Sequence, residues 1–207
     1  MYQLYHFPFS QHARRVVALL EAAGLPYELR HVAMDEAEHL SAGYLALNPN
    51  HQVPTLVDGD LVLHESTAIM RYLCNRHGLE DWYPSDPVQR ARVDQWTDWT
   101  QSRMAQPVID IVFNSLFAPS HMRDRDAIER GKTRIGELAP MIEAGLEGRD
   151  WIAGTPHPTI GDLAIASNIS QLGLAGWRPA NGNLKAWYAR MCEIEAFAKT
   201  LPVMEAA

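Results

Sequence analysis

Cysteine is scarce in this sequence: two among 207 residues, Cys74 and Cys192, far apart. There is no Cys-x-x-Cys pair and no Cys/His cluster to hold zinc, and the nine histidines show no metal-ligand spacing, so no metal is expected. So few thiols suit a reducing compartment, and a cytoplasmic location is expected. Cys74 falls in an amphipathic pattern and reads as a small core residue. Basic residues are not in excess either. Eighteen Lys and Arg against twenty-five Asp and Glu give a net charge of -7, which excludes the basic footprint of a nucleic-acid binder. No apolar run is long enough to span a bilayer. The first residues lack the basic, apolar and small-residue order of a signal peptide. Neither a nucleic acid nor a membrane is therefore an expected partner. What is present is ordinary: 47% hydrophobic and 21% charged residues, enough for a sizeable globular core.

The patterning divides the chain. Residues 2–6 alternate as a short strand. Ala13, Val16, Val17 and Leu20 repeat with helical spacing, and Gly24 is a stop signal. Residues 27–33 alternate again, so the order is βαβ with parallel strands. A short helix over 41–47 ends at Asn48-Pro49. Residues 55–57 and 61–63 flank Asp58-Gly59-Asp60, a hairpin signal, and Ser66 can cap a helix running to about His77. Residues 79–87 carry Asp81, Pro84, Ser85, Asp86 and Pro87 and read as a linker. Beyond it the period is helical. Ile109, Val112, Phe113 and Leu116 fall on one face, and Ile135, Leu138, Ala139 and Ile142 on another, which Gly136 and Pro140 weaken. Thr159-Ile160-Gly161-Asp162 fits a capping box ahead of an apolar helix. Two short helices are expected near 183–191 and 194–200. The boundaries are 1–78, a linker over 79–87, and an all-helical region over 88–207.

Ser10 stands where the first strand ends and the first helix begins. By spacing alone it is a helix cap. A helix start also favours anions, through free N–H groups and partial positive charge, so Ser10 equally suits a ligand.

Several stretches, in order and spacing, resemble the cytosolic glutathione S-transferases along nearly the whole chain: FPFSQHARR at 7–15, EHLS at 38–41 leading into NPNHQVPTL at 48–56, DGDLVLHESTAI at 58–69, and TIGD at 159–162. The serine-type classes, theta, delta and related bacterial proteins, look nearest. The resemblance implies a thioredoxin-like α/β N-terminal domain joined to an all-α C-terminal domain. It implies glutathione as co-substrate, a small electrophile as second substrate, and a homodimer.

The resemblance also assigns roles. Ser10 matches the catalytic serine, which stabilises the glutathione thiolate. A cysteine-type thiol has a pKa of about 8.5, and lowering it by one unit takes about 1.4 kcal/mol of preference for thiolate. A hydroxyl donating to sulfur at a helix start supplies both needed effects. Tyr5 is an alternative hydroxyl with a simpler packing role. The absence of cysteine at position 10 argues against mixed-disulfide chemistry. The Val53-Pro54 bond is implied to be cis, which leaves the Val53 backbone free to pair with the cysteinyl unit of glutathione. Ser66 would take the γ-glutamyl carboxylate and Glu65 its ammonium. His39, His51 and Gln52 match positions near the glycyl carboxylate. Asp162 reads as a structural cap, and Arg14 and Arg15 as a solvated face or a salt bridge between domains. Phe9, Arg103, Met104, Pro107 and Phe113 are candidates for the electrophile side, although each equally suits a core. The implied activity is transfer of glutathione thiolate to an apolar electrophile, with peroxide reduction open to the same thiolate. A non-catalytic binding protein on the same fold is the alternative.

Overall fold

The computed structural model describes residues 1–202; the last five residues of the helical region expected above lie outside the described residues. The chain begins with β1 (Tyr2–His6), α1 (Gln11–Ala22) and β2 (Tyr27–His31). β1 and β2 pair in parallel, with Leu4 opposite Leu29, as the βαβ reading requires. Next come α2 (Ala42–Leu47), β3 (Thr55–Asp58), β4 (Leu61–His64) and α3 (Ser66–His77). β3 runs antiparallel to both β1 and β4, giving the sheet order β2-β1-β3-β4. The β3–β4 hairpin turns at Gly59, whose φ of 59° few other residues adopt at low cost.

The segment read as a linker is partly built into the core. Tyr83 is buried, and Asp86 caps α4 (Pro87–Trp99), accepting from the Gln89 N–H at 2.8 Å. Pro87 is therefore the first residue of a helix, where its missing N–H costs nothing. α4 continues without a break through a widened π turn (Thr100–Met104), α5 (Ala105–Val112) and a second π turn (Phe113–Phe117).

The stripe expected on this rod holds only in part. Val112 is buried and Leu116 packs on the core, whereas Ile109 and Phe113 are 40% and 51% exposed. The buried face runs instead through Met104, Val108, Ile111 and Val112, at i, i+4, i+7 and i+8, and the rod carries apolar side chains on a second, exposed face. α6 (Arg125–Gly145) keeps its expected face, with Ile135, Leu138 and Ile142 buried and Pro140 tolerated inside the helix. Gly131 lets α6 lie against α5: a Cβ there would stand 2.9 Å from the Pro107 carbonyl.

α7 (Ile160–Leu174) is buried all round through Leu172, as befits the central helix of the second half. α8 (Gly182–Glu193) and α9 (Glu195–Ala198) close the described chain. One hydrophobic core joins both halves, running from Leu4, Leu19 and Leu73 to Val108, Ile165 and Trp187. Cys74 belongs to it, and burial pushes its thiol pKa up to about 12.

Candidate functional site

Two buried side chains build the loop ahead of β3. Asn48 donates to the Gln52 carbonyl at 2.8 Å and to Thr55 Oγ1 at 3.1 Å, and its own Oδ1 accepts from the Asn50 N–H. The Tyr44 hydroxyl donates to the same Gln52 carbonyl at 2.6 Å. With its preceding carbonyl held twice, Val53 is fixed, and the Val53-Pro54 bond is cis. Among the described residues the Val53 N–H and C=O have no hydrogen-bond partner. A short edge of backbone thus stays available to an extended peptide.

This edge faces the start of α3. Glu65 sits at the N-cap with φ 68°, is exposed, and makes no side-chain cap bond. Ser66 is buried, and its hydroxyl has no partner among the described residues. Gln52, Val53, Pro54, Glu65 and Ser66 share a cleft of about 50 Å³ with Asn48, Asn50, His12 and Gln101. A larger hollow of about 400 Å³, lined by Phe7, Phe9, Leu29 and Leu201 among others, shares no lining residue with it. Five of the candidate binding residues line the smaller cleft: Gln52, Val53, Pro54, Glu65 and Ser66.

Ser10 caps α1 beside this cleft rather than within its lining. Its Oγ accepts from the Ala13 N–H at 3.2 Å. A hydroxyl that accepts in this way still has its own proton to donate. Capping and ligand contact, posed as alternatives by the sequence, are compatible at this residue. His39 and His51 stand together farther along the loop, with ring centroids 6.4 Å apart. His51 is exposed, and His39 Nδ1 is buried without a partner among the described residues. Tyr5 packs in a small cluster with Tyr44, Val32 and Val53.

Arg14 and Arg15 correct the reading of a solvated face or a salt bridge. Both are buried where α1 meets α7, and their partners are neutral. Arg14 bonds the Thr200 carbonyl, Ser170 and Gln171; Arg15 bonds Ser167 at 3.2 Å and Gln101 Oε1 at 2.8 Å. Desolvation lowers their pKa values to about 10 and about 9, so both stay cationic at neutral pH. His12, on the cleft wall, is driven the other way in charge: desolvation, then the nearby Arg15, lowers its pKa to about 3 and keeps it neutral.

The second-substrate candidates separate. Met104 is core, Arg103 is exposed, and Phe9 meets Phe117 with ring centroids 5.4 Å apart beside exposed Phe113. Sequence reading missed His12, Asn50 and Gln101. His12 carried a usable signal, two residues after Ser10. Gln101 carried none, because no local motif marks it.

Comparison with known proteins decides the family. Residues 4–81 match the model of the glutathione S-transferase N-terminal domain, and residues 125–190 match that of the C-terminal domain. The chain belongs to the glutathione S-transferase family. It is 32% identical over 199 residues to glutathione S-transferase GstB of Escherichia coli, covering 94% of each chain. It is 27% identical over 196 residues to mouse glutathione S-transferase theta-1, covering 91% of this transferase and 81% of that one. Its fold superposes with a TM-score of 0.90 on the theta class glutathione S-transferase of Xanthomonas axonopodis pv. citri, solved with glutathione bound, at 32% identity and 99% coverage of both. The thioredoxin-like first domain and helical second domain expected from the resemblance are those of this family.

Proposed function

We propose that this glutathione transferase is of the serine type, binding glutathione along the Val53 edge and activating its thiol at Ser10. The observation that carries the reading is the Ser10 hydroxyl: it caps α1 through its oxygen and keeps a proton for sulfur. The free N–H groups of α1 favour the same negative charge. The γ-glutamyl carboxylate goes to Ser66 at the start of α3, the ammonium to Glu65, and the glycyl end to His39, His51 and Gln52. Residues 1–78 form the glutathione-binding unit. Past the 79–87 segment, the helical region supplies the electrophile side.

The electrophile is apolar and small. The exposed Phe113 and Phe117, with Phe9 packed against Phe117, support that class. The thiolate sulfur forms a bond to the electrophilic carbon as a leaving group departs with its bonding electron pair, or, at an activated alkene, as the π bond breaks and the resulting carbanion takes a proton from solvent. No helix among the described residues is long and apolar enough to cross a membrane, and the two unpaired cysteines suit a reducing cytoplasm. A homodimer accords with the resemblance.

Thiolate absorbance of bound glutathione across pH, in wild type and Ser10→Ala, tests the reading. The expected result is a depressed thiol pKa in wild type that rises by about one unit in the variant. Tight binding with an unshifted pKa in both proteins overturns it and favours a non-catalytic binding protein.

A further inference from the structure

We propose that Gln101, carried by the helical region and held by Arg15, recognises the γ-glutamyl end of glutathione by donating from its amide nitrogen to the α-carboxylate. The proposal rests on the glutathione reading above and extends its binding site across the domain boundary.

The orientation of Gln101 follows from what Arg15 can offer. A guanidinium only donates, so the group 2.8 Å from Arg15 Nη1 must be the Gln101 carbonyl oxygen. The amide NH₂ then points away from Arg15, with no hydrogen-bond acceptor among the described residues. Turning the amide over would set its NH₂ against a buried cation. It would also cost Arg15 a bond when its Nη2 already lacks a partner among the described residues. Gln101 is thereby locked as a donor toward the cleft.

Gln101 lines the same cleft as Glu65 and Ser66. The polarity there is consistent. The α3 start favours an anion, the Ser66 hydroxyl is buried without a partner, and Gln101 brings a donor from the opposite domain. The fully buried charge of Arg15 lies behind that amide and polarises it, making its N–H groups better donors. The cleft thus has a donor-rich wall for the carboxylate and the Glu65 carboxylate for the ammonium. His12, in the same lining, stays neutral and adds no charge to the cleft. Gln101 lies within the π turn at Thr100–Met104, and such turns recur at functional sites.

Calorimetry with S-methylglutathione, which cannot be turned over, tests the assignment. A second probe replaces the γ-glutamyl unit with 4-aminobutyryl, removing only the α-carboxylate. Gln101→Leu should weaken S-methylglutathione about tenfold and leave the 4-aminobutyryl probe unchanged. Gln101→Glu keeps a partner for Arg15 but sets carboxylate against carboxylate, so it should weaken S-methylglutathione about a hundredfold. Equal weakening of both probes by Gln101→Leu, or no weakening, overturns the proposal. So does wild-type affinity in Gln101→Glu, which would place Gln101 against the ammonium. Arg15 is a positioning residue: Arg15→Met should weaken S-methylglutathione in the wild-type background and have no further effect in Gln101→Leu. Equal losses in both backgrounds overturn that part, and the Gln101 variants carry the test should Arg15→Met fail to fold. Wild type that does not bind S-methylglutathione overturns the glutathione reading itself, before any variant is made.

Discussion

Two helices of this transferase begin in opposite ways. At the start of α7, Asp162 is fully buried and receives four donors. Its Oδ1 accepts from the Ile152 N–H at 2.9 Å and Trp187 Nε1 at 2.8 Å; its Oδ2 accepts from the Thr159 N–H at 2.8 Å and hydroxyl at 2.9 Å. At the start of α3, Glu65 makes no side-chain cap bond and the buried Ser66 hydroxyl has no partner among the described residues. Both ends carry the same partial positive charge. One is served by a carboxylate the chain supplies; the other has an unpartnered hydroxyl, as the proposed γ-glutamyl site requires. A closed end serves folding, and an open end keeps its donors for a ligand and gives up stability to do so.

The comparison breaks most visibly at Asp162. Asp162→Ala leaves the Ile152 and Thr159 N–H groups and the Trp187 indole buried without acceptors. At about 1–3 kcal/mol per orphaned group, partly relieved by relaxation, the expected loss is about 3–5 kcal/mol in urea unfolding. Burial raises the Asp162 pKa while its hydrogen bonds work to lower it, so the carboxylate depends on all four donors. A loss below about 1 kcal/mol would mean that the closed end is not a folding device.

His12 measures what the open site costs. Its pKa falls from about 6.5 in the unfolded chain to about 3 in the folded one. Below pH 6.5 the unfolded chain takes up a proton that the folded one refuses. The His12 contribution is therefore whole above pH 6.5 and is lost as pH falls from there toward 3. At pH 5 the loss should reach about 2 kcal/mol. Stability curves of wild type and His12→Asn should converge with acid by that amount; parallel curves would mean that the imidazole is hydrated and its wall of the cleft is open to water.

Ser10 stands between the two cases, since it caps a helix and is also proposed to serve the glutathione thiol. Ser10→Ala should cost about 1 kcal/mol, the usual worth of a cap. A loss of that size together with a raised thiol pKa would show both roles in one hydroxyl. A stability loss with no pKa change would move α1 to the side of the closed end.

How legible these ends were in the sequence follows from how local their causes are. The strand and helix order, the hairpin and the Thr159–Asp162 box lie in contiguous patterns of a few residues, and they are where periodicity and capping put them. The cis bond at Pro54 and the placing of Glu65 and Ser66 came through resemblance, since their meaning depends on a loop clamped by Tyr44 and Asn48. The stripe on α5 was misread because apolar residues lie on more than one face of that rod, and periodicity alone does not choose the face of Val108 and Ile111 over that of Ile109 and Phe113; Gln101 was missed because no local motif marks it. Arg14 and Arg15 read as a solvated face or a salt bridge between domains. Only the packing of α1 on α7 makes them buried cations, and nothing within α1 announces that.

The smallest expected effect on stability is the sharpest test of the open end. Ser66 is as buried as a core residue, and on burial alone its loss would be costly. Yet its hydroxyl bonds to nothing among the described residues, so the ligand-free protein already bears the penalty of desolvating it. Ser66→Ala removes that penalty with the hydroxyl and leaves the helix backbone in place. The ligand-free variant should unfold within about 0.5 kcal/mol of wild type, or slightly later. Its affinity for S-methylglutathione should fall about tenfold, because the hydroxyl gains its partner only from the ligand. Melting temperatures with and without S-methylglutathione separate the two quantities. A large ligand-free loss would show that α3, like α7, is capped for folding, and the contrast between the two helix starts would disappear.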